Sequence, residues 1–421
     1  MNLTPASALR GEIRVPGDKS ISHRGVMLGA IADGVSHIHG FLDGADCRST
    51  IECFSRLGVN IETHGSDVTV HGKGLCGLRR PEDTLYTGNS GTTTRLITGL
   101  LAGQRFDTII DGDATIRRRP MKHIKEPLSQ MGAHIEGDFC PITVHGGPLH
   151  AIRYTLPVAS AQLKSAILLA SLYADGETVV TEPQPSRDHT ERMLSHMGSG
   201  LIAQNGRIIS RPPAKLDAVD ITVPGDISSA AFFLVAGAIL PNSQITVLDV
   251  GVNPTRTGIL DVLAEMGADI KIENQRSFGG EPVADITVSS SVLHGVTIGG
   301  DLIPRLIDEL PVAAVAAAFA EGTTVIQDAQ QLKVKESDRI AAVTAELARA
   351  GADITATDDG MVIRGGRPIH GAAFSTYHDH RMAMSMAVLA LAAEGESDIE
   401  NPEVVDISFP GFFDLLGRLG R

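Results

Sequence analysis

Apolar residues in this chain gather into two kinds of run. Long Ala- and Leu-rich stretches, among them "SAAFFLVAGAIL" (229–240), "PVAAVAAAFA" (311–320) and "MAMSMAVLALAA" (382–393), are apolar nearly all round. That pattern predicts helices buried on every side rather than surface helices with one wet face. Between them lie short runs that alternate apolar and polar residues, such as "DVTVHG", "PITVHG", "ADITVSS" and "MVIRGG". These predict strands, several ending at glycine.

The runs recur at roughly 70 residues, a period that signals repeated supersecondary units. One signature returns as "LGVNIE" (57–62), "MGAHIE" (131–136), "MGSGLIA" (197–203), "MGADIKIE" (266–273) and "AGADITA" (350–356), with a degenerate end at "LLGRLG" (415–420). Each reads as a helix stopped by a glycine cap that drops into a strand. A second signature runs in step with it: a small polar residue opens each buried helix, at Asp18, Asn89, Ser160, Asp226, Asp308 and Asp379. These are expected to be N-caps, accepting hydrogen bonds from the otherwise unpaired N–H groups of the first turn. Six βαβ-type units, three to a domain, account for the 421 residues. The near-duplicates "VPGDKSIS" (15–22) and "VPGDISSA" (223–230) mark where the chain should cross between domains. Domain one is then 1–16 plus 227–421, and domain two is 17–226. Helix starts gathered on a cleft between them would attract anions, because each carries unpaired donors and a partial positive charge.

Composition narrows the function. A net charge of −14 and no Trp argue against a nucleic-acid partner, which requires a basic face or stacking platforms. The four Cys form no CxxC pair, so neither a disulfide framework nor a zinc ribbon is expected, and the thiols fit a cytoplasmic setting. No apolar run is long enough to span a bilayer, and the N-terminus lacks the layout of a signal peptide.

The cations that exist are clustered. "GDKSISHR" sets Lys19, Ser20 and Arg24 on the first turns of a helix, where an ammonium suits phosphate and a guanidinium fork suits carboxylate. "GNSGTTTR" (88–95) is a Gly-rich turn in which Gly91 allows close backbone approach, and "TIRRRPMKHIK" (115–125) follows a "DGDA" turn as a loop lowering arginines toward a ligand. "SAQLK" (160–164) offers hydroxyl, amide and ammonium to a polyhydroxylated substrate, and "SRDHTE" adds Arg187. Asp308, ahead of an Ala-rich helix, is either a plain cap or a general base. "LKVKESDR" (332–339) is either a solvated helix start laced with ion pairs or a grip in which Lys335 and Arg339 hold an anion while Glu336 moves a proton. "HDHR" (378–381) brings His380 and Arg381 to a helix start; His378 and His380 are two apart and point differently, so no metal is expected there.

Taken together, "PGDKSISHR", "GNSGTTTR", "RRRPM", "SAQLKSA", "VKESDR" and "DHRMAM" closely resemble the 5-enolpyruvylshikimate-3-phosphate synthase family, in order and from about Val15 to Phe413. The resemblance implies a two-domain inside-out α/β barrel of six βαβαββ units with helix N-termini facing the interdomain cleft. It implies transfer of the enolpyruvyl group of phosphoenolpyruvate to the 5-hydroxyl of shikimate 3-phosphate through a tetrahedral intermediate, without metal or other cofactor, by a cytoplasmic monomer whose partners are these small molecules alone. Lys19, Asn89, Gly91, Arg119, Gln162, Lys335, Arg339 and Arg381 would then face phosphoenolpyruvate. Lys19, Ser20, Arg24, Ser160, Gln162, Arg187, Asp308 and Lys335 would face shikimate 3-phosphate. Asp308 resembles the base at the 5-hydroxyl; Glu336 with Lys19 resembles the proton-transfer group, supported by His380.

The match is not uniform. Ile407 in "DISFP" stands where many members carry Lys, Ala161 where a second Ser is common, and Gln331 where Asn is frequent. Short motifs at 17–19, 160–164, 187–191 and 253–256 resemble a glyphosate-tolerant subclass, whereas Gly91 is the residue usual in sensitive members. The sister family acting on UDP-N-acetylglucosamine normally has a Cys where this chain has Ala114, and sliding clamps, also built of six such units, need basic helices that are absent here.

Overall fold

In the computed structural model, residues 1–420 are described. They divide into two compact units: unit one is Met1–Pro16, Pro224–Arg276 and Pro282 onward, and unit two is Gly17–Val223 with Ser277–Glu281. Two of the four crossings fall on the "VPGD" motifs. Residues 224–226 lie in unit one, against an expected divide at 226, and 277–281 group with unit two rather than with domain one. Glycine is required at the first crossing, where a Cβ on Gly17 would stand 1.9 Å from the Gly40 carbonyl oxygen.

The six apolar runs are helices: Lys19–Ala30, Gly91–Ala102 and Ala161–Ser171 in unit two, and Ile227–Ile239, Leu310–Phe319 and His380–Ala392 in unit one. They are buried almost throughout, as an apolar surface without a wet face requires. In unit one all three pack against one another. In unit two Gly91–Ala102 lies so close to Ala161–Ser171 that a Cβ on Gly99 would meet the Ala166 carbonyl oxygen at 2.1 Å.

Around each trio lie small sheets, five of four strands and one of three among the described residues. Within a repeat the first strand is parallel to the second, and the last two form a hairpin antiparallel to it. Leu85–Tyr86, for example, pairs with Thr108–Asp111, which pairs with Ile142–His145 and through it with His134–Glu136. Two repeats obtain their first strand from a distant part of the chain. Arg10–Arg14 runs parallel to Gln244–Gly251, and Ile221–Thr222 runs parallel to Val35–His39. The sixth sheet has Asn2–Leu3 in place of a hairpin, and "LLGRLG" closes the helix Phe412–Leu419.

The glycine signature has one physical cause. Gly58, Gly132, Gly198, Gly267 and Gly351 have φ of +88°, +92°, +81°, +91° and +94°. After each, the next amide donates to a carbonyl five residues back: Val59 to Phe54, Ala133 to Leu128, Ser199 to Leu194, Ala268 to Leu263 and Ala352 to Leu347. This is the Schellman closure, which turns the chain from the outer helix of a repeat into its hairpin. Gly267→Ala has room for its methyl, with no neighbour nearer than 3.5 Å. It should therefore lower the unfolding free energy read from urea melts by about 1–2 kcal/mol, through backbone strain alone.

Candidate active site

In unit two the polar side chains collect at the starts of the buried helices. Asp18 caps the first by accepting from the Ile21 N–H, and Lys19 Nζ lies 3.0 Å from Asp46 Oδ2. One turn on, the buried Arg24 guanidinium donates to Thr190 Oγ1 at 2.7 Å, to Ser165 Oγ at 2.8 Å and to the Ser20 carbonyl at 2.9 Å. Burial and the Arg187 charge lower its pKa to about 10 against the opposing pull of Glu191 and Asp18, so it remains a cation at neutral pH.

The second helix start is a relay of amide and guanidinium. Arg95 Nη1 donates to Gln162 Oε1 at 2.6 Å, Gln162 Nε2 to Thr92 Oγ1 at 3.1 Å, and Arg119 Nη2 to Asn89 Oδ1 at 3.4 Å. A Cβ on Gly91 would come within 2.8 Å of Arg95 Nη1 and 2.9 Å of Arg119 Nη1, so this glycine lets two guanidinium groups approach the backbone. Of the basic run, Arg119 alone of the three arginines turns to this helix start; Arg117 and Arg118 are exposed, with Arg117 paired to Asp111. Burial and Arg95 lower His123 to about 4, keeping it neutral.

Three expectations need correction. The cap of this helix is Ser90, which accepts from the Thr93 N–H, and not Asn89, whose amide is turned to Arg119. Lys164 offers no ammonium to a substrate. Its side chain is fully buried, with Nζ 2.9 Å from Glu182 and 2.6 Å from Glu191. In unit one Asp308 is not a cap either, because the helix Leu310–Phe319 starts from Glu309 and has no side-chain cap. Ser160, Asp226 and Asp379 do cap their helices.

Freed from capping, Asp308 sits among cations: Lys335 Nζ at 3.4 Å, Arg339 Nη1 at 3.2 Å and Arg381 Nε at 3.9 Å. Arg339, buried, also reaches Glu336 Oε2 at 2.7 Å and Asp379 Oδ2 at 2.8 Å. Burial disfavours its charge, but Asp379 and Glu336 more than restore it and raise the guanidinium pKa above its ordinary value. Asp379 is likewise held below the usual carboxylate range, burial notwithstanding, by Arg339. His380 is buried, with Nδ1 4.0 Å from Asp379, while His378 is exposed. The stretch 332–339 is not a single helix: a 3₁₀ turn, Gln330–Val334, breaks before the helix Arg339–Arg349, and Lys333, Val334 and Asp338 are exposed while Arg339 is buried.

Sequence reasoning missed the partners that aim these groups. Asp46, Arg95, Ser165, Thr190 and Asp379 lie mostly inside quoted motifs, yet Arg24 meets Ser165 and Thr190 across 141 and 166 residues. Only the repeat period hinted at such pairings.

Residues 3–416 match the family model for EPSP synthase (3-phosphoshikimate 1-carboxyvinyltransferase). The chain belongs to this family. A 3-phosphoshikimate 1-carboxyvinyltransferase of Bacillus cereus is 55% identical over 419 residues, 99% of this chain and 98% of the relative. One from Geobacillus thermodenitrificans is 55% identical over 422 residues, with the same coverage. Among solved structures, EPSP synthase from Acinetobacter baumannii superposes with a TM-score of 0.90 at 46% identity, over 100% of this chain and 98% of its own. The enolpyruvyl transferase NikO from Streptomyces tendae shares the fold, with a TM-score of 0.80 at 18% identity over 100% and 97%. The resemblance drawn from the motifs is borne out in family and fold, and with it a transferase of the shikimate pathway.

The Lys164 cluster holds the base of the helix that carries Ser160 and Gln162. Lys164→Met would leave Glu182 and Glu191 buried without their cation, and burial already raises the Glu191 pKa. A loss of about 3–5 kcal/mol in urea unfolding is expected.

Proposed function

We propose that this chain joins the 5-hydroxyl of shikimate 3-phosphate to C2 of phosphoenolpyruvate and releases phosphate. What carries the reading is the carboxylate of Asp308 ringed by Lys335, Arg339 and Arg381, in a chain whose family is named for this transfer. The three cations set positive charge around the Asp308 carboxylate. Asp308 then takes the hydroxyl proton while the oxygen bonds to C2, and Glu336 with Lys19 delivers a proton to the methylene carbon. Breaking the C2–O bond to phosphate, with loss of a proton from the new methyl group, completes the exchange. His380, beside Asp379, would support Glu336 through their shared partner Arg339. No metal or cofactor takes part.

Lys19, Asn89, Gly91, Arg119 and Gln162 would complete the phosphoenolpyruvate set with Lys335, Arg339 and Arg381. Lys19, Ser20, Arg24, Ser160, Gln162 and Arg187, with Asp308 and Lys335, would receive shikimate 3-phosphate. The hydrogen bonds that Arg24 donates to Thr190 and Ser165 support this by aiming its fork. We read the enzyme as a cytoplasmic monomer; Cys53, Cys76 and Cys140 are free thiols, and no helix among the described residues is long and apolar enough to cross a membrane. Glyphosate tolerance is the finer expectation from the short motifs. An inhibition constant close to the phosphoenolpyruvate KM would contradict it.

The test is phosphate release with both substrates, run beside Asp308→Ala and with UDP-N-acetylglucosamine as the alternative acceptor. Release should require shikimate 3-phosphate and fall by about 10²–10⁴ in the variant; turnover only with the nucleotide sugar would overturn the assignment. Gly91→Ala should displace Arg95 or Arg119 and raise the KM for phosphoenolpyruvate while leaving that for shikimate 3-phosphate within about twofold, a split read from initial rates.

A further inference from the structure

Away from this site, on the outer sheet of the second repeat in unit two, two imidazoles and a carboxylate converge. His134 and Glu136 lie two apart on one strand and so project from the same face. His145 is the cross-strand partner of His134. The two rings stack with centroids 4.5 Å apart and planes 17° from parallel. His145 Nε2 is 3.1 Å from Glu136 Oε1, and its Nδ1 is 3.3 Å from Asp107 Oδ1. The ligating atoms of His134, Glu136 and His145 all fall within 4.8 Å of one another.

We propose that His134, Glu136 and His145 form a binding site for a borderline divalent cation of the Zn²⁺ class. Two imidazoles and one carboxylate are the donor set such ions take, with water filling the fourth position. Ligand atoms about 2.1 Å from a tetrahedral ion lie about 3.4 Å apart, so half-exposed side chains need only close slightly on it. Asp107 supplies the outer partner. By accepting from Nδ1–H of His145 it fixes the tautomer that presents Nε2 to the ion, the arrangement that orients metal-bound histidines generally.

The first repeat serves as a comparison within the same molecule. His71 Nε2 lies 3.0 Å from Glu62 Oε1, the same pair in the same register. There, however, Asn60 pairs with His71 where His134 pairs with His145. Val35 also pairs with His71 at the place corresponding to Asp107, since Ser36 pairs with Val70 as Thr108 pairs with Val144. The first repeat thus holds a simple His–Glu pair, and the second has both additions that convert the pair into a cation site. The bound ion would tie the hairpin 134–145 to the segment at Asp107.

The experiment uses the full-length protein, stripped with chelator and titrated with Zn²⁺ against a chromogenic competitor. One equivalent should bind at micromolar free Zn²⁺. His134→Asn, which reproduces the first repeat's set, should weaken binding at least tenfold, and Asp107→Asn by a smaller factor. Phosphate release should stay at the unsubstituted rate in both, which also shows that the variants fold. Absence of binding at submillimolar Zn²⁺ would overturn the proposal. So would one-equivalent binding that survives both His134→Asn and His145→Asn.

Discussion

A helix buried on every side has no lateral surface for polar chemistry, so what it offers a ligand is concentrated at its ends. Six such helices set that constraint here, and the rest of the architecture serves it: sheets and outer helices cover their flanks, and glycine closures turn each repeat back on itself. The first turn of each helix is where unpaired N–H donors and the positive end of the helix dipole reside. Asp18, Ser90, Ser160, Asp226 and Asp379 each satisfy one of those donors. Lys19 and Arg381, the next residues along or nearly so, add full charges to the same turns. A protein with net charge −14 thereby keeps cations concentrated at these helix starts.

The repeats also share an electrostatic device. In unit one the acid ahead of a buried helix is paired with an arginine at the start of the following outer helix. Asp226 meets Arg256 at 3.0 Å, and Asp308 meets Arg339 at 3.2 Å. In the first case Asp226 is spent on capping, with Ser228 and the buried Glu309 closing the cluster around Arg256. In the second, no cap is made and Arg339 extends to the next repeat's Asp379, leaving Asp308 in a ring of cations. One frame thus gives a capping pair in one repeat and a carboxylate set among three cations in another.

Much of this was legible in the sequence because the period repeats a physical requirement. Gly58, Gly132, Gly198, Gly267 and Gly351 recur since only glycine adopts their positive φ without strain. Buried helices announce themselves by apolarity on all faces. The failures have a common origin. Asn89 and Ser90 are both good caps, and only backbone geometry selects Ser90. Lys164 follows a polar helix start in sequence, but its side chain is directed inward to Glu182 and Glu191, which no local pattern reveals. Arg24 depends on Ser165 and Thr190 in other repeats, and such long-range pairing has no signature in one chain.

The central claim, that the first turns of the buried helices receive the substrates, is tested most directly by amide hydrogen exchange with and without them. Shikimate 3-phosphate should slow exchange at 19–24, 160–165 and 187–190. Adding phosphoenolpyruvate with a slowly turning variant should extend protection to 89–95 and 335–339. Protection confined to the outer sheets, or none at those turns under conditions where phosphate is released, would contradict it.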